Sequence, residues 1–312
     1  MVGSVGKEAM KALLSLIFGC LLLSGCATTA NVPVTSTTGA AEQIPTQTLK
    51  PDGAGPFPAV VIMYDCSGLG PRSSGSPMRW ARELVDRGYV VALPDSFSTR
   101  GHPGGVCTNP SPSRNDVAPA RRVADAYAIL AFVRTLPYVD GARVGIMGGS
   151  HGGTTTLFSM VAAERESEPL AREKRDGFTA AIAFYPGCTG QIGQWRAVRQ
   201  PKAATINYFG VYKSIAPLLI LTGELDDWTP AEPCRRLSES ARQAGNSVSI
   251  KIYPGAHHAF DSNTPVRFNP ERVNANAPTG RGATTGGDRD AWDDSAREVM
   301  AFFGQHLKKS PK

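Results

Sequence analysis

The feature that most constrains this chain is a glycine-flanked serine, Gly148-x-Ser150-x-Gly152. It follows an apolar run of strand type at residues 144–147 and precedes a helical pattern over residues 153–163. A serine on so sharp a strand-to-helix turn has strained dihedral angles, and glycines two residues away on either side leave the room that the turn needs. The N–H groups of the helix start then point at the serine. The pattern predicts a serine nucleophile; the alternative is a glycine-rich turn that contains a serine.

The first 26 residues have the pattern of a bacterial export signal. Lys7 and Lys11 form a positive region, and the apolar run over residues 12–23 is too short to span a bilayer comfortably. The sequence Leu-Ser-Gly-Cys that ends at Cys26 resembles the lipobox of bacterial lipoproteins. That resemblance implies a signal peptide over residues 1–26 and a lipid on Cys26. An ordinary secretory peptide and a short anchor helix are the alternatives.

The residues after Cys26 predict where the protein is held. The residue after the cysteine is Ala27 and not an aspartate. The lipoprotein resemblance therefore implies a protein of the cell envelope that is anchored in the outer membrane and faces the periplasm. Residues 31–47 are rich in Thr, Ala, Pro and Ser, and we expect a flexible tether over residues 27–47. Residues 48–312 then form one α/β domain of ordinary size.

Charge and cysteine usage narrow the function classes. The formal net charge is +6, but the basic residues are scattered, so nucleic-acid binding is not indicated. Of six cysteines, Cys20 is lost with the signal peptide and Cys26 is lipidated. An even set of four is left in an oxidising compartment, which favours disulfides, and no spacing typical of zinc is present. The four are Cys66, Cys107, Cys188 and Cys234.

Strand and helix patterns alternate along the chain. Runs typical of buried strands lie at residues 59–64, 89–93, 144–147, 180–185, 218–221 and 248–253. Helical patterns lie at residues 78–87, 118–136, 153–163, 231–244 and 290–307. This alternation predicts a mainly parallel central sheet with helices on both faces, and function at the carboxyl ends of its strands.

Polar residues stand at those strand ends in an informative order. Asp226 and Asp227 follow one strand, and His257 and His258 follow the next. Serine, aspartate and histidine occur in this order in α/β hydrolases. The histidine takes the serine proton, while the aspartate fixes its tautomer and stabilises the imidazolium. Taken singly, Asp226 can be a helix N-cap and His258 an ordinary loop residue.

The chain resembles the dienelactone hydrolase family of α/β hydrolases. The similarity spans about residues 55–307 and rests on four motifs: Gly-Gly-Ser-His-Gly-Gly at 148–153, Gly223-x-x-Asp226 with Pro230, Tyr-Pro-Gly-Ala-His-His-Ala-Phe at 253–260, and Pro-Asp-Ser-Phe at 94–97. The resemblance implies an α/β-hydrolase fold. It also selects Asp226 over Asp227 and His258 over His257 as partners of Ser150.

Two backbone donors are needed to stabilise an oxyanion. The N–H of His151, directly after the nucleophile, is one of them. The resemblance implies that the N–H of Cys66, in the loop after the first long strand, is the other.

The chain departs from dienelactone hydrolases proper in two ways. Ser150 replaces their cysteine nucleophile, and a serine depends more on a nearby base. Arg100 can correspond to one of the arginines that bind the substrate carboxylate, but Asp261 stands where a second would follow His258. An aspartate there would repel an anion, so dienelactone itself is disfavoured as substrate. Four aromatic residues either line an apolar substrate pocket or belong to the core: Tyr64, Phe97, Trp228 and Phe260.

The implied fold also predicts the disulfides. In it, the strands ending at Tyr64 and Leu93 are neighbours, as are those ending at Tyr185 and Leu221. Their exit loops can therefore bring cysteines within bonding distance. We expect Cys66–Cys107 and Cys188–Cys234, against the alternative of four free thiols.

Together these features predict a serine hydrolase that cleaves small carboxylic esters or lactones through an acyl-enzyme without a cofactor or metal. One alternative is a peptidase of the prolyl oligopeptidase kind, disfavoured because no propeller pattern accompanies the domain. The other is a non-catalytic envelope lipoprotein with a vestigial triad. The oligomeric state is left open.

Overall fold

A computed structural model describes residues 27–35, 41–168, 170–200 and 205–308 of the chain. The predicted signal peptide and the lipidated Cys26 lie outside these ranges and stay predictions. Within the described ranges, every helix is too short or too polar to cross a membrane.

Strands and helices alternate through most of the described chain, as the hydrophobic pattern predicts. The strands are β1 (Ala27–Thr35), β2 (Ala41–Leu49), β3 (Phe57–Met63), β4 (Val90–Pro94), β5 (Val139–Gly149), β6 (Ala180–Phe184), β7 (Gly190–Ile192), β8 (Trp195–Arg199), β9 (Ile206–Phe209), β10 (Leu218–Gly223), β11 (Val248–Tyr253), β12 (Arg267–Val273) and β13 (Arg281–Thr285). The helices are α1 (Ser76–Asp86), α2 (Arg122–Arg134), α3 (His151–Met160), α4 (Ala171–Arg175), α5 (Ala231–Gln243) and α6 (Arg289–Leu307), with 3-10 turns at Ser98–Arg100 and Pro112–Val117.

The central sheet has eight strands in the order β1-β2-β4-β3-β5-β6-β10-β11. From β4 to β11 all neighbours are parallel, so the carboxyl ends of β3, β5, β10 and β11 share one edge. Helices cover both faces, with Leu130, Leu157 and Leu237 buried on one and Trp80 and Phe303 on the other. This is the α/β-hydrolase architecture that the sequence predicts.

The tether predicted over residues 27–47 is wrong for the described residues. β1 and β2 form an antiparallel hairpin, and β2 pairs antiparallel with β4 to extend the central sheet. Val32, Val34 and Ile44 are buried on the hairpin. Strand pairing satisfies backbone groups whatever the side chains are, so a segment with few large apolar residues can still be ordered at a sheet edge.

Both predicted disulfides are confirmed. Cys66 is bonded to Cys107 and Cys188 to Cys234, with Cα atoms 5.0 Å and 5.1 Å apart. The reason is the predicted one: β3 lies beside β4, and β6 beside β10, so that their exit loops are adjacent.

Two small sheets lie outside the central one and were not predicted. β7, β8 and β9 form an antiparallel sheet, and β12 pairs with β13 in a hairpin. We call residues 262–287, which contain this hairpin, the arm. In sequence, the arm begins four residues after His258 and ends just before α6.

Candidate active site

The nucleophile turn is built as the glycine spacing predicts. β5 ends at Gly149, Ser150 has φ 53° and ψ −115°, and α3 begins at His151, two residues before the predicted start. A Cβ on Gly148 would lie 2.5 Å from the carbonyl oxygen of Met63, and one on Gly152 only 1.8 Å from it. Because no side chain fits at these distances, the elbow can pack onto the end of β3 only with glycine there.

Ser150, His258 and Asp226 form one hydrogen-bonded chain. Ser150 Oγ lies 2.8 Å from His258 Nε2, and His258 Nδ1 lies 2.8 Å from Asp226 Oδ2. All three side chains are buried, and Ser150 keeps an opening to the cavity beside it. The carboxylate can only accept, so Nδ1 carries the proton and the lone pair of Nε2 faces the serine. This is the arrangement of a general base and its orienting acid.

Asp226 is itself held in place by the loop after β10. Its Oδ1 accepts hydrogen bonds from the backbone N–H groups of Trp228 and Thr229, at 2.9 Å and 2.8 Å. The Thr229 hydroxyl lies 2.9 Å from both Tyr185 O and His258 Nδ1, and 3.0 Å from Asp226 Oδ2. The Nδ1 proton of His258 is directed to Asp226, so the acceptors for the one hydroxyl proton of Thr229 are the Tyr185 carbonyl and the Asp226 carboxylate. Thr229 was missed by the sequence reasoning, although it lies three residues after Asp226.

Backbone strain is concentrated around this chain of side chains. Among the described residues other than glycine, positive φ angles occur at Ser150, Tyr185, Ala259 and Leu170. The first three adjoin the triad, because Ala259 follows His258 and the Tyr185 ring lies 4.6 Å from the His258 ring. Strain at such residues persists only where the surrounding structure enforces it.

The two predicted oxyanion donors belong to segments that adjoin Ser150. The N–H of His151 is the first of α3 and therefore has no intrahelical acceptor. Cys66 occupies the second position of a turn closed by Gly68 N–H to Asp65 O, which leaves the Cys66 N–H outside the turn's hydrogen bond. Cys66 and Ser150 line the same cavity. The loop is braced by the disulfide and by hydrogen bonds from the N–H and hydroxyl of Ser67 to Asp65.

The cavity beside Ser150 has a volume of about 130 Å³. Trp228 lines it, with its ring 4.8 Å from the His258 ring. The other predicted pocket residues do not line it. Tyr64, Phe97 and Phe260 are fully buried in the core, and Arg100 is bound to Asp125 and Glu42.

The arm supplies part of the cavity wall. Arg267 and Arg272 of β12 line the cavity, together with Arg72 from the loop after β3. None of the three has a carboxylate partner within the part of the chain that the structure describes. The guanidinium of Arg272 stacks 4.6 Å from the centre of the Trp228 ring, and burial lowers its pKa. Sequence reasoning missed all three arginines; Arg267 and Arg272 were missed because β12 shows no regular hydrophobic alternation.

Asp227 and His257, the neighbours not selected as catalytic, have other contacts. The exposed Asp227 accepts hydrogen bonds from the N–H and hydroxyl of Thr284 on the arm, both at 2.8 Å. His257 Nδ1 lies 3.1 Å from Leu225 O. The family-based selection of Asp226 and His258 therefore agrees with the geometry.

Asp261 is correctly placed after His258 but does not face the cavity. Its carboxylate receives hydrogen bonds from Trp80 Nε1 and the Tyr185 hydroxyl, both at 2.7 Å. The residue is buried, and burial raises the pKa of its carboxyl. The expectation that Asp261 repels an anionic substrate is therefore wrong.

A cluster of potential metal ligands, Asp65 with Cys66 and Cys107, also lies at this edge. Its two sulfur atoms are bonded to each other, so neither is available as a thiolate ligand.

The fold and the Ser-His-Asp geometry define an α/β hydrolase. The model of the dienelactone hydrolase family matches residues 44–307, and the chain belongs to that family. A Methylorubrum extorquens protein, provisionally named a carboxymethylenebutenolidase, is 27% identical over 233 residues, which cover 73% of this chain and 72% of that protein.

Two further similarities extend the comparison. The apo form of Thermogutta terrifontis esterase 2 matches with a TM-score of 0.57 at 22% identity, over 91% of this chain and 97% of that one, which shows a shared fold. Dipeptidyl-peptidase 5 of Porphyromonas gingivalis is 26% identical over 65% of this chain, but the match covers only 30% of that protein.

Proposed function

We propose that the protein hydrolyses carboxylic esters or lactones through an acyl-enzyme on Ser150. The observation that carries the proposal is the unbroken hydrogen-bonded chain from Ser150 through His258 to Asp226, with both distances at 2.8 Å. Ser150 Oγ attacks the ester carbonyl carbon while its proton passes to His258 Nε2. The imidazolium, stabilised by Asp226, then protonates the departing alkoxide.

The second half of the reaction reverses these roles. His258 takes a proton from water, the hydroxide attacks the acyl carbon, and Ser150 leaves with the proton returned by the imidazolium. In both halves the carbonyl oxygen becomes an oxyanion. The N–H groups of Cys66 and His151 are the donors we assign to it, since both border the nucleophile and neither is used by its own turn or helix.

The cavity favours an ester that carries a negative charge. Arg72, Arg267 and Arg272 line it, against one carboxylate, Asp65, which is engaged by Ser67 and Ser74. A net positive cavity attracts anions, and guanidinium groups bind carboxylates and phosphates with two parallel hydrogen bonds. The substrate class we propose is therefore a small ester or lactone bearing a carboxylate or phosphate.

A fluorophosphonate probe tests the reaction class. Ser150 should be labelled in the wild type and unlabelled in Ser150→Ala, as found by peptide mapping. A failure to label the wild type would favour the non-catalytic lipoprotein.

Matched ester and amide substrates with the same acyl group separate an esterase from a peptidase. The similarity to a dipeptidyl-peptidase supports the peptidase as the alternative. Amide turnover equal to ester turnover would contradict the proposal.

For localisation, we propose export and lipidation at Cys26. The lipobox pattern supports this, and two disulfides suit an oxidising compartment. The wild type should partition with outer membranes and Cys26→Ser should not, because lipid chains supply the membrane affinity. A wild type recovered without lipid, starting at Ala27 or a later residue, would indicate ordinary secretion instead.

A further inference from the structure

Arg122 is a buried charge that the proposed reaction does not use. It begins α2, and its side chain is 0% exposed. Its Nη1 donates to the Tyr64 carbonyl oxygen at 2.9 Å and lies 3.0 Å from His151 Nδ1. The guanidinium also stacks against two rings, 4.5 Å from the centre of Tyr64 and 4.8 Å from that of Phe97.

The charge of Arg122 is not neutralised by a salt bridge in the described ranges. Its Nε and Nη2 atoms are buried without a hydrogen-bond partner there. Arg100 has the opposite arrangement: its guanidinium binds both carboxylate oxygens of Asp125 at 2.7 Å, and that of Glu42 as well. Burying an unpaired charge is costly, and an apolar side chain of similar size is often tolerated in its place. Stability alone therefore does not explain an arginine at residue 122.

The two contacts of Nη1 join the two loops that carry the oxyanion donors. Tyr64 is two residues before Cys66, in the loop after β3, and His151 carries the other donor N–H. We propose that Arg122 is a positioning residue. The two contacts of its Nη1, which we call the clamp, hold the Cys66 loop against the nucleophile elbow and thereby set the separation of the two donors. This inference rests on the proposed ester hydrolysis.

The protonation state of His151 is compatible with this contact. Arginine can only donate hydrogen bonds, so His151 Nδ1 must accept and the proton of the neutral ring must lie on Nε2. Burial, and then the charge of Arg122, hold the pKa of His151 well below its ordinary value. The ring is therefore neutral at physiological pH, and the clamp is intact under assay conditions.

The expected effect of losing the clamp is on the transition state. Oxyanion donors act only within about 2.7 to 3.1 Å of the oxyanion, and a displacement of about 1 Å lowers rates by about 10²-fold. Arg122→Met should therefore lower kcat by about 10²-fold and change KM by less than about threefold, since substrate binding does not require the oxyanion contacts.

Arg100→Met is the matched control, because Arg100 is a largely buried arginine bound to carboxylates outside the cavity lining. It leaves the buried Asp125 without its salt-bridge partner, whereas Glu42 keeps Arg121, so Tm should fall while kcat per folded molecule stays near the wild-type value. Arg122→Met should show the reverse, a large loss of kcat with a smaller loss of Tm. Arg122→Lys, which keeps a donor, should recover part of the lost kcat.

A trifluoromethyl ketone ester analogue gives the decisive readout. It forms a tetrahedral adduct with Ser150 whose oxyanion occupies the same position as in the reaction. Its inhibition constant should rise in Arg122→Met by the same factor as kcat/KM falls, and stay unchanged in Arg100→Met. An inhibition constant and kcat unchanged in Arg122→Met would overturn the inference, as would losses that simply follow Tm in both variants.

Two further measurements keep the test decisive. If Arg122→Met does not fold, His151→Phe removes the acceptor of the same contact while keeping a ring, and should lower kcat and weaken inhibition together. An unchanged His151→Phe would contradict the clamp. A wild type that the fluorophosphonate probe fails to label would instead contradict the proposed function, so the two failures are distinguishable.

Discussion

The two walls of the cavity are built by different means. The elbow wall, formed by the ends of β3 and β5, is shaped by the backbone: Gly152 lies so close to Met63 O that a Cβ would approach it to 1.8 Å. The arm wall is attached mainly through side chains, such as the Trp228 Nε1 that donates to Val273 O at 2.9 Å and the Asn274 Nδ2 that donates to Asp227 O at 3.0 Å.

Because of this difference, we assign the chemical reaction to the elbow wall and the selectivity between substrates to the arm wall. The elbow wall holds the nucleophile and both donors, which every ester needs, and Gly148 and Gly152 leave no room there for a side chain. The arm wall holds Arg267 and Arg272, which have no carboxylate partner among the described residues and which only some substrates can use. Changes on the elbow side should therefore affect all substrates alike, and changes on the arm side should affect the choice between substrates.

The largest expected effect is at the nucleophile. Ser150→Ala should lower kcat for every ester by about 10⁴-fold or more, on the scale of triad deletions, with Tm close to that of the wild type. Steady-state kinetics on neutral and anionic esters measure it. A variant that keeps most of its activity on either ester would show that Ser150 is not the nucleophile.

The packing of the elbow is tested by Gly152→Ala. The added methyl has to displace Met63 O, and overpacking of this kind costs about 1 to 3 kcal/mol. It should lower kcat on neutral and anionic esters by equal factors.

Gly304→Ala is the control for this variant. Nothing lies within 4 Å of a Cβ at this glycine of α6. Alanine there should stabilise the helix by about 0.5 to 1 kcal/mol. Equal stability of the two variants would contradict the close approach.

The arm wall is tested by Arg272→Met. Loss of a charged hydrogen-bond donor, worth about 1.5 to 3 kcal/mol, should lower kcat/KM for an anionic ester by about 10- to 100-fold. The neutral ester of the same shape should be affected little. Arg281→Met, on the same arm but paired with Glu271 and outside the cavity lining, should leave both values unchanged. Equal losses on both esters would mean that Arg272 does not select for charge.

The two disulfides compare a bond at the cavity, where Cys66 is a lining residue, with a bond outside the cavity lining, and they close loops of similar length, 41 and 46 residues in sequence separation. Replacing either pair with alanine should lower the free energy of unfolding by about 2 to 4 kcal/mol. Only the Cys66→Ala/Cys107→Ala pair should also lower kcat, by about tenfold, because its loop carries an oxyanion donor. A matching loss of kcat in Cys188→Ala/Cys234→Ala would show a general effect of stability.

The smallest effect concerns pH. Burial lowers the pKa of His151 in the folded state, whereas an unfolded histidine titrates near about 6.5. Between the two values the unfolded chain binds more protons, so the free energy of unfolding should fall as pH decreases from about 7 to 5. His151→Gln should show a weaker dependence of Tm on pH in this range. Parallel curves for the two proteins would contradict a buried, neutral His151.

Local sequence determined much of this protein. The glycines around Ser150 are required by contacts within a few residues and one adjacent strand, so their spacing, taken with the strand and helix patterns on either side, predicted the elbow. The alternating strands and helices predicted the parallel sheet, and the sheet placed Asp226 and His258 at the edge where Ser150 lies. The strand order implied by the family resemblance also predicted both disulfides, because neighbouring strands have neighbouring exit loops.

Only the tertiary structure decided which way side chains point and which segments pair at the edge of the central sheet. β1 and β2 are ordered by backbone pairing, β1 with β2 and β2 with β4, which composition does not record. Asp261 points into the core, where Trp80 donates a hydrogen bond to it, and Arg272 points to the cavity, where it stacks on Trp228. Both partners are distant in sequence. Arg122 reaches Tyr64 and His151 only when α2 is packed against the sheet. Each depends on long-range contacts, whereas the elbow depends on local sterics.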